Sequence, residues 1–510
     1  LTVQTATSVM GNYTFKLTFE QYSVILVCMA FFFTFLRLHE VKVTEKRVFH
    51  IAGFIVVVLG CGLFTNQIIL SDFMEEHQIN IRMFRPMESY QKYGGVLTFA
   101  RSVGYAVVKK PEGYTTAKVD QIIQEYEKKS ANEQQSTAKQ YPNIITVVNE
   151  TFADIKVLGD FKTNEDYMPY FHSLKKNCVT GYTYASIVGG QTANTEFELL
   201  TGNTLGFLSA GTTAFQLYIH GQMPSLVSNL KAEGYSGNKA MHPFNPYNYN
   251  RPAVYKDFGF TDFIDKFDFP KNVKRVREYI SDEANVDRII SEYEKNRKKT
   301  DQPFYMYNMT IQNHSPYDKD AANFKQPIKI ESSKYDAEAN RYLNLIKYSD
   351  DSLKQLTSYF EKCKEPTIIL FLGDHQPRLT DEFMNKITNG QYQTWSSEQM
   401  MKRYQVPFVI WANYDIKEQH IEKTSMNYIQ SILTKTAGVK MTGYQRFLNE
   451  VRKEVPTITS QGYWGKNGKF YQINDKGSPY YGIIQKYRMI QYNMMFDKKN
   501  RRDSFFEVSK

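Results

Sequence analysis

The segment Asn143-Ile-Ile-Thr-Val-Val-Asn149 is dominated by β-branched residues without polar alternation, and Glu150 follows it directly. A continuous apolar run of this length fits a strand covered on both faces, as in parallel sheets. Similar runs follow at Pro303-Phe-Tyr-Met-Tyr-Asn-Met-Thr-Ile311, Thr367-Ile-Ile-Leu-Phe-Leu372 and Pro407-Phe-Val-Ile-Trp411. Shorter extended pieces are expected at 181–186 and 239–242. Helical patterns occupy 166–176, 194–200, 225–233 (ended by Gly234), 287–297, 335–360 and 427–434. Strands alternating with helices predict an α/β sandwich with a mainly parallel central sheet over about 142–440. In such sheets ligands gather beyond the carboxyl ends of the strands.

Outward from this block the composition changes on both sides. Residues 22–36 and 51–70 are apolar runs near the roughly 20 residues that a bilayer requires. The short loop between them carries Arg37, Lys42, Lys46 and Arg47. Such a loop stays cytoplasmic, so everything after Leu70 is expected outside the membrane. The chain starts at Leu1 rather than Met, which suggests a trimmed product with further membrane helices ahead of it. Residues 71–141 form a polar connector. Within it 116–138 reads as a helix, with Val119, Ile122, Ile123 and Tyr126 at three-four spacing. Residues 441–510 read as a small α+β appendage of strands plus one helix near 480–495, then a basic, solvated tail.

The chain has 510 residues, and 15% of them are aromatic, which places it among folded rather than disordered proteins. Lys plus Arg outnumber Asp plus Glu by 63 to 53, giving a formal charge of +10 and implying an anionic partner. No nucleic-acid-binding signature appears and the basic residues are scattered, so a lipid surface fits better than nucleic acid. Cys28, Cys61, Cys178 and Cys363 lack metal-ligand spacing and read as free thiols.

Four polar signals each fall just past a strand. Glu150 follows the first run, Thr192 sits in the loop Val188-Gly-Gly-Gln-Thr192 ahead of an acidic helix, His314 follows the 303–311 run, and Asp374-His375 follow the 367–372 run. A hydroxyl at a helix start meets unpaired N–H groups and a partial positive charge, which suits a phosphoryl group. Two carboxylates, one hydroxyl and one imidazole form a four-ligand set for a divalent metal. Its oxygen-rich character suits Mn²⁺ or Mg²⁺, with Zn²⁺ also compatible. A metal on the Thr192 oxygen would lower its pKa and polarise a phosphoryl group.

Together Glu150, the Gly-Gly-Gln-Thr192 loop with Asn-Thr-Glu196-Phe, Asn313-His314-Ser-Pro and Gly373-Asp374-His375 resemble lipoteichoic acid synthases and their relatives in the sulfatase and alkaline-phosphatase superfamily. The resemblance implies a sulfatase-like fold with Glu150, Thr192, Asp374 and His375 on the metal, Mn²⁺ foremost. It makes Thr192 the nucleophile and His314 a contact for phosphoglycerol. Met241-His242-Pro243 and Tyr249-Asn250-Arg251 match the family's glycerol-phosphate positions, where Arg251 would fork onto phosphate oxygens. Tyr249 stands where the prototype has Trp, and Phe244 where it has Asp.

The implied protein is a multi-pass, membrane-anchored enzyme with an extracellular catalytic domain. It would move glycerol phosphate from phosphatidylglycerol, through Thr192, to a glycerol-phosphate polymer, a glycolipid or a wall polysaccharide. Two alternatives stay open: a zinc-dependent phosphoethanolamine transferase, and a non-catalytic glycerol-phosphate sensor. Sulfatase activity is disfavoured because Thr192 lacks the Cys/Ser-x-Pro-x-Arg context.

Overall fold

The structure is a computed structural model that describes residues 47–70, 86–105, 108–130, 140–331, 336–390 and 392–508, with isolated positions at 26–34 and 73. The chain divides into two compact units, Leu1–Val107 and Val108–Lys510.

In the first unit a helix at Arg47–Phe64 continues as a π-helical stretch at Thr65–Leu70, and two short helices follow at Pro86–Tyr93 and Gly95–Gly104. The expected 51–70 run is therefore helical throughout, and Phe54, Val56, Leu59 and Leu63 are exposed along it. Among the described residues no helix is long and apolar enough to cross a membrane. The 22–36 run lies mostly outside the described residues.

The second unit begins with α1 (Thr116–Ser130) and is built on an eight-stranded sheet. In chain order its elements are β1 (Asn143–Asn149), β2 (Cys178–Tyr184), α2 (Thr192–Thr201), β3 (Ser236–Met241), α3 (Arg251–Phe258), β4 (Asp262–Ile264), α4 (Asp282–Arg297), β5 (Phe304–Met309), α5 (Ala337–Phe360), β6 (Thr367–Gly373), β7 (Gln405–Ala412), β8 (Gln419–Ser425) and α6 (Met426–Thr436). The sheet order is β8-β2-β7-β6-β1-β5-β3-β4. Only β7 runs against its neighbours, so the sheet is mainly parallel, as expected.

Successive strand residues enter opposite cores, as strand geometry demands. Ile144 and Val148 of β1 pack with α2, α3 and α6, whereas Ile145 and Val147 pack with α4 and α5. Both faces are thus covered, which is why these strands read as unbroken apolar runs. The expected helix at 166–176 is reduced to Pro169–Ser173, and the extended piece at 181–186 is β2, starting three residues earlier.

The regions flanking the sheet differ more from the sequence reading. The connector helix α1, expected either along the membrane surface or against the catalytic domain, takes the second place: Val119, Ile122 and Tyr126 are buried, and Tyr126 meets Phe447 edge-on at 4.6 Å. After α6 come α7 (Gly443–Glu454), a small antiparallel sheet of β9 (Thr457–Thr459), β10 (Gly462–Trp464) and β11 (Phe470–Tyr471), and α8 (Tyr481–Met495). The appendage therefore holds two long helices rather than one. The basic tail expected to be solvated is docked: Arg502 grips Asp120 of α1 through Nε at 2.6 Å and Nη2 at 2.8 Å, and Phe505 and Phe506 are buried.

One glycine is fixed by a close approach at the sheet edge. A Cβ at Gly373 would lie 1.8 Å from the Phe152 carbonyl oxygen. Gly373→Ala must push the 150–152 turn away from β6, at about 1–3 kcal/mol. Thermal unfolding should show a lowered Tm; an unchanged Tm would mean that the turn gives way freely.

Candidate metal and phosphate site

Asn149 of β1 pairs with Gly373 of β6, so the next residues, Glu150 and Asp374, leave the sheet side by side. His375 follows. Thr192 reaches the same place from β2 by a loop of left-handed residues: Gly189 has φ 67° and Gln191 φ 68°. A Cβ at Gly189 would also press on Arg378 at 3.1 Å. Gln191 precedes α2 without capping it through its side chain, so Thr192 is the first helical residue and the helix start keeps unpaired N–H groups. The expected hydroxyl at a helix N-terminus is what the structure has.

Glu150, Asp374 and His375 are buried and place one ligand atom each within 4.8 Å of one another. Thr192 Oγ1 donates to Glu150 Oε2 at 3.4 Å. Asp374 Oδ1 accepts from the Thr151 and His375 amides at 2.7 and 2.8 Å, which fixes the carboxylate. Its Oδ2 has no hydrogen-bond partner, and neither has His375 Nε2, although the two lie 3.2 Å apart. The geometry explains why. His375 Nδ1 sits 3.0 Å from the Gln376 carbonyl oxygen, which assigns the ring proton there and leaves Nε2 a lone pair. Two lone-pair atoms then face each other in a buried site, an arrangement that a cation between them relieves. Burial, followed by repulsion from Asp374, pushes the Glu150 carboxyl well above its usual range. The donor set and these orphaned atoms fit a divalent metal.

A second group adjoins the first. His242 follows β3 and His314 follows β5, and each sets Nδ1 against a carbonyl oxygen, that of Met309 at 3.0 Å and of Ser315 at 2.6 Å. Burial lowers both pKa values, His242 well below its ordinary value with the Arg251 charge adding to the effect. Both rings are therefore neutral with Nε2 lone pairs. Phe244 stacks on His314 at 6.3 Å and meets His242 edge-on at 6.1 Å. Arg277 holds the His314 loop by donating to the Gln312, His314 and Pro316 carbonyls.

Arg251 opens α3 and is buried. Its Nε and Nη2 both reach Glu196 Oε1, at 3.1 and 2.6 Å, and its guanidinium lies over the Tyr249 ring at 5.1 Å. Glu196 takes the Nε and Nη2 edge of the guanidinium. Tyr249 stands at φ 60° and is half-buried against the core.

Sequence reasoning found Glu150, Thr192, Asp374 and His375, which the structure brings together, and placed His242, Tyr249, Arg251 and His314 on the adjoining loops. It assigned no role to Glu196, although it quoted the residue. Glu196 Oε2 also accepts from the Tyr255 and Tyr307 hydroxyls at 2.5 and 3.2 Å. Asn313 was likewise quoted without a role. Its amide donates to the Glu150 carbonyl and to Asn149 Oδ1, both at 3.0 Å, tying the two loops together.

Comparison with protein families matches the Sulfatase family over residues 142–439. The chain belongs to the sulfatase family. Within the family it is similar to "Putative cyclic beta-1,2-glucan modification protein" of Rhizobium meliloti, at 30% identity over 83% of this chain and 65% of the relative. It is also similar to the lipoteichoic acid synthase of Staphylococcus saprophyticus, at 24% identity over 70% of this chain and 55% of the relative. This sulfatase-family chain thus spans under two thirds of the length of these curated relatives. Among solved structures, Streptococcus pyogenes phosphoglycerol transferase GacH in complex with sn-glycerol-1-phosphate shares the fold, with TM-score 0.63 and 20% identity over 79% of this chain and all of GacH.

Proposed function

We propose that this chain is a metal-dependent phosphoglycerol transferase that takes glycerol phosphate from phosphatidylglycerol onto Thr192 and delivers it to an acceptor hydroxyl. The observation that carries the reading is the Thr192 hydroxyl set against Glu150, the carboxylate that clusters with the buried, partnerless Asp374 Oδ2 and His375 Nε2. Similarity to a lipoteichoic acid synthase, and the fold shared with phosphoglycerol transferase GacH in complex with sn-glycerol-1-phosphate, support the substrate class.

In this reading Glu150, Thr192, Asp374 and His375 hold the metal, which supplies charge neutralisation at the phosphate and a lowered Thr192 pKa. Thr192 Oγ1 bonds to phosphorus as the bond from phosphorus to the diacylglycerol oxygen breaks. Thr192 gives up its proton and the departing oxygen takes one. The unpaired N–H groups at the start of α2 face the added negative charge. Arg251 donates to a phosphate oxygen, and His242 and His314 accept hydrogen bonds from glycerol hydroxyls at Nε2. An acceptor hydroxyl then repeats the displacement on the Thr192 ester. A polymer end, a glycolipid or a polysaccharide would serve. The membrane anchor, the extracellular placement of this unit and the choice of Mn²⁺ belong to the same proposal.

Headgroup release from phosphatidylglycerol and phosphatidylethanolamine, measured side by side, tests the substrate. Release from phosphatidylglycerol alone is expected. Preference for phosphatidylethanolamine would replace this reading with the phosphoethanolamine one. Chelation should abolish turnover, Mn²⁺ should restore it, and saturating metal should raise stability by about 2.7 kcal/mol at a hundred times Kd. Full turnover after exhaustive chelation would contradict the metal assignment.

A further inference from the structure

Among the described residues of Val108–Lys510, Tyr247 and Phe267 are the large apolar side chains left highly exposed, at 56% and 73%. Both flank the site. Tyr247 lies between His242 and Arg251 in the loop after β3. Phe267 lies in the turn after β4, where the Ile264 carbonyl accepts from the His242 amide at 2.9 Å.

Neither is displayed by a loose loop. Asp265 Oδ1 accepts from the Phe267 amide at 2.7 Å and Asp268 Oδ2 from the Asp265 amide at 2.8 Å, closing the Lys266–Asp268 turn from both ends. The Lys266 amide donates to the carbonyl of Phe244, the ring stacked on His314. Tyr247 is held through its amide by Asn245 Oδ1 at 3.1 Å, and its carbonyl accepts from the Asn250 amide. Ordered turns thus hold two aromatic rings in water, where burial would favour them.

The charges beside the rings balance one another: Asp265 and Asp268 against Lys266 and Lys271. Asp265 and Asp268 keep their negative charges while capping the turn, and Lys274 pairs with Glu283. The Lys266 ammonium acts on the Asp265 carboxylate and lies 5.0 Å from the Phe267 ring centroid. Two exposed aromatic rings beside a site read as taking a lipid headgroup match the interfacial zone of a bilayer.

We propose that Tyr247 and Phe267 form a docking rim that seats this unit on a lipid surface, beside the site that takes the headgroup. The proposal rests on the lipid-headgroup reading above. It implies that the substrate enters from the bilayer across the β3 and β4 loops.

The test uses the full chain with phosphatidylglycerol in two forms: vesicles mixed with phosphatidylcholine, and a short-chain analogue dispersed as monomers. The double variant Tyr247→Ser/Phe267→Ser should raise KM on vesicles about tenfold while leaving kcat/KM on monomers unchanged. Equal kinetics on vesicles, or equal losses on both forms, would overturn the rim. Phe267→Trp supplies a readout independent of turnover. Relative to the unsubstituted chain, its emission should shift to the blue and be quenched by bromine-labelled acyl chains. No quenching would overturn the proposal even in an active enzyme, and a shift that needs only higher protein concentration would assign the patch to a second copy of the chain. Quenching in a chain that releases no headgroup would sink the transfer reading and leave the rim standing.

Discussion

Thr192→Ala should lower kcat on the order of 10⁴ or more, because it removes the atom that bonds to phosphorus. Thr192 Oγ1 has one side-chain partner, Glu150 Oε2, at a long 3.4 Å, so its loss should shift stability by under about 1 kcal/mol. Activity and stability therefore separate in this variant. Thr192→Ser keeps the hydroxyl at the helix start and should retain measurable turnover. Steady-state headgroup release together with thermal unfolding checks both halves. Turnover within tenfold of the parent enzyme would remove Thr192 from the chemistry, and a collapse of Tm would mean that the loop, not the hydroxyl, had been lost.

Glu196→Ala should be the most destabilising single change near the site, by about 3–5 kcal/mol, because it strands a buried guanidinium. The Arg251–Glu196 pair has side-chain exposures of 2% and 0%, so water cannot replace the lost carboxylate. Tyr255 and Tyr307 lose their shared acceptor at the same time. Loss of α3 anchoring would also misdirect Arg251, so KM should rise with kcat reduced. Denaturant unfolding measures the effect. A change below about 1 kcal/mol would show that Arg251 finds another partner and that the pair does not hold α3 in place.

The parts of this fold that were legible share one cause. β1, β5 and β6 are buried on both faces, so their sequences are continuous apolar runs, and Glu150, His314 and Asp374-His375 were found simply as the polar residues at or just past the ends of those runs. β8 was missed for the opposite reason. It is an edge strand, Gln419-His-Ile-Glu-Lys-Thr-Ser425, with Gln419, His420, Glu422 and Lys423 exposed, and it carries no apolar pattern. Helix α7 was overlooked despite clear signals, a Thr442–Gln445 capping box and buried Tyr444, Phe447, Leu448 and Val451 at helical spacing. Its polar surface resembled the tyrosine-rich segment that follows. Helix α3 was hidden by Pro252 in its first turn, where proline is well tolerated.

The role of Glu196 was out of reach for a different reason. Its partners Arg251, Tyr255 and Tyr307 lie 55, 59 and 111 residues away, and nothing in local periodicity pairs them. The docked tail follows the same rule, since Arg502 finds Asp120 across 382 residues. Metal-ligand candidates are different because strand ends in one sheet converge by topology. Once the parallel order is granted, their meeting follows without any contact information.

The most direct test of covalent transfer is peptide mass spectrometry of the full chain incubated with phosphatidylglycerol and Mn²⁺ without acceptor. A glycerophosphoryl group is expected on Thr192, absent with phosphatidylethanolamine and absent in Thr192→Ala. Turnover of phosphatidylglycerol with Thr192 unmodified in samples quenched during turnover, or with the group on another residue, would contradict it.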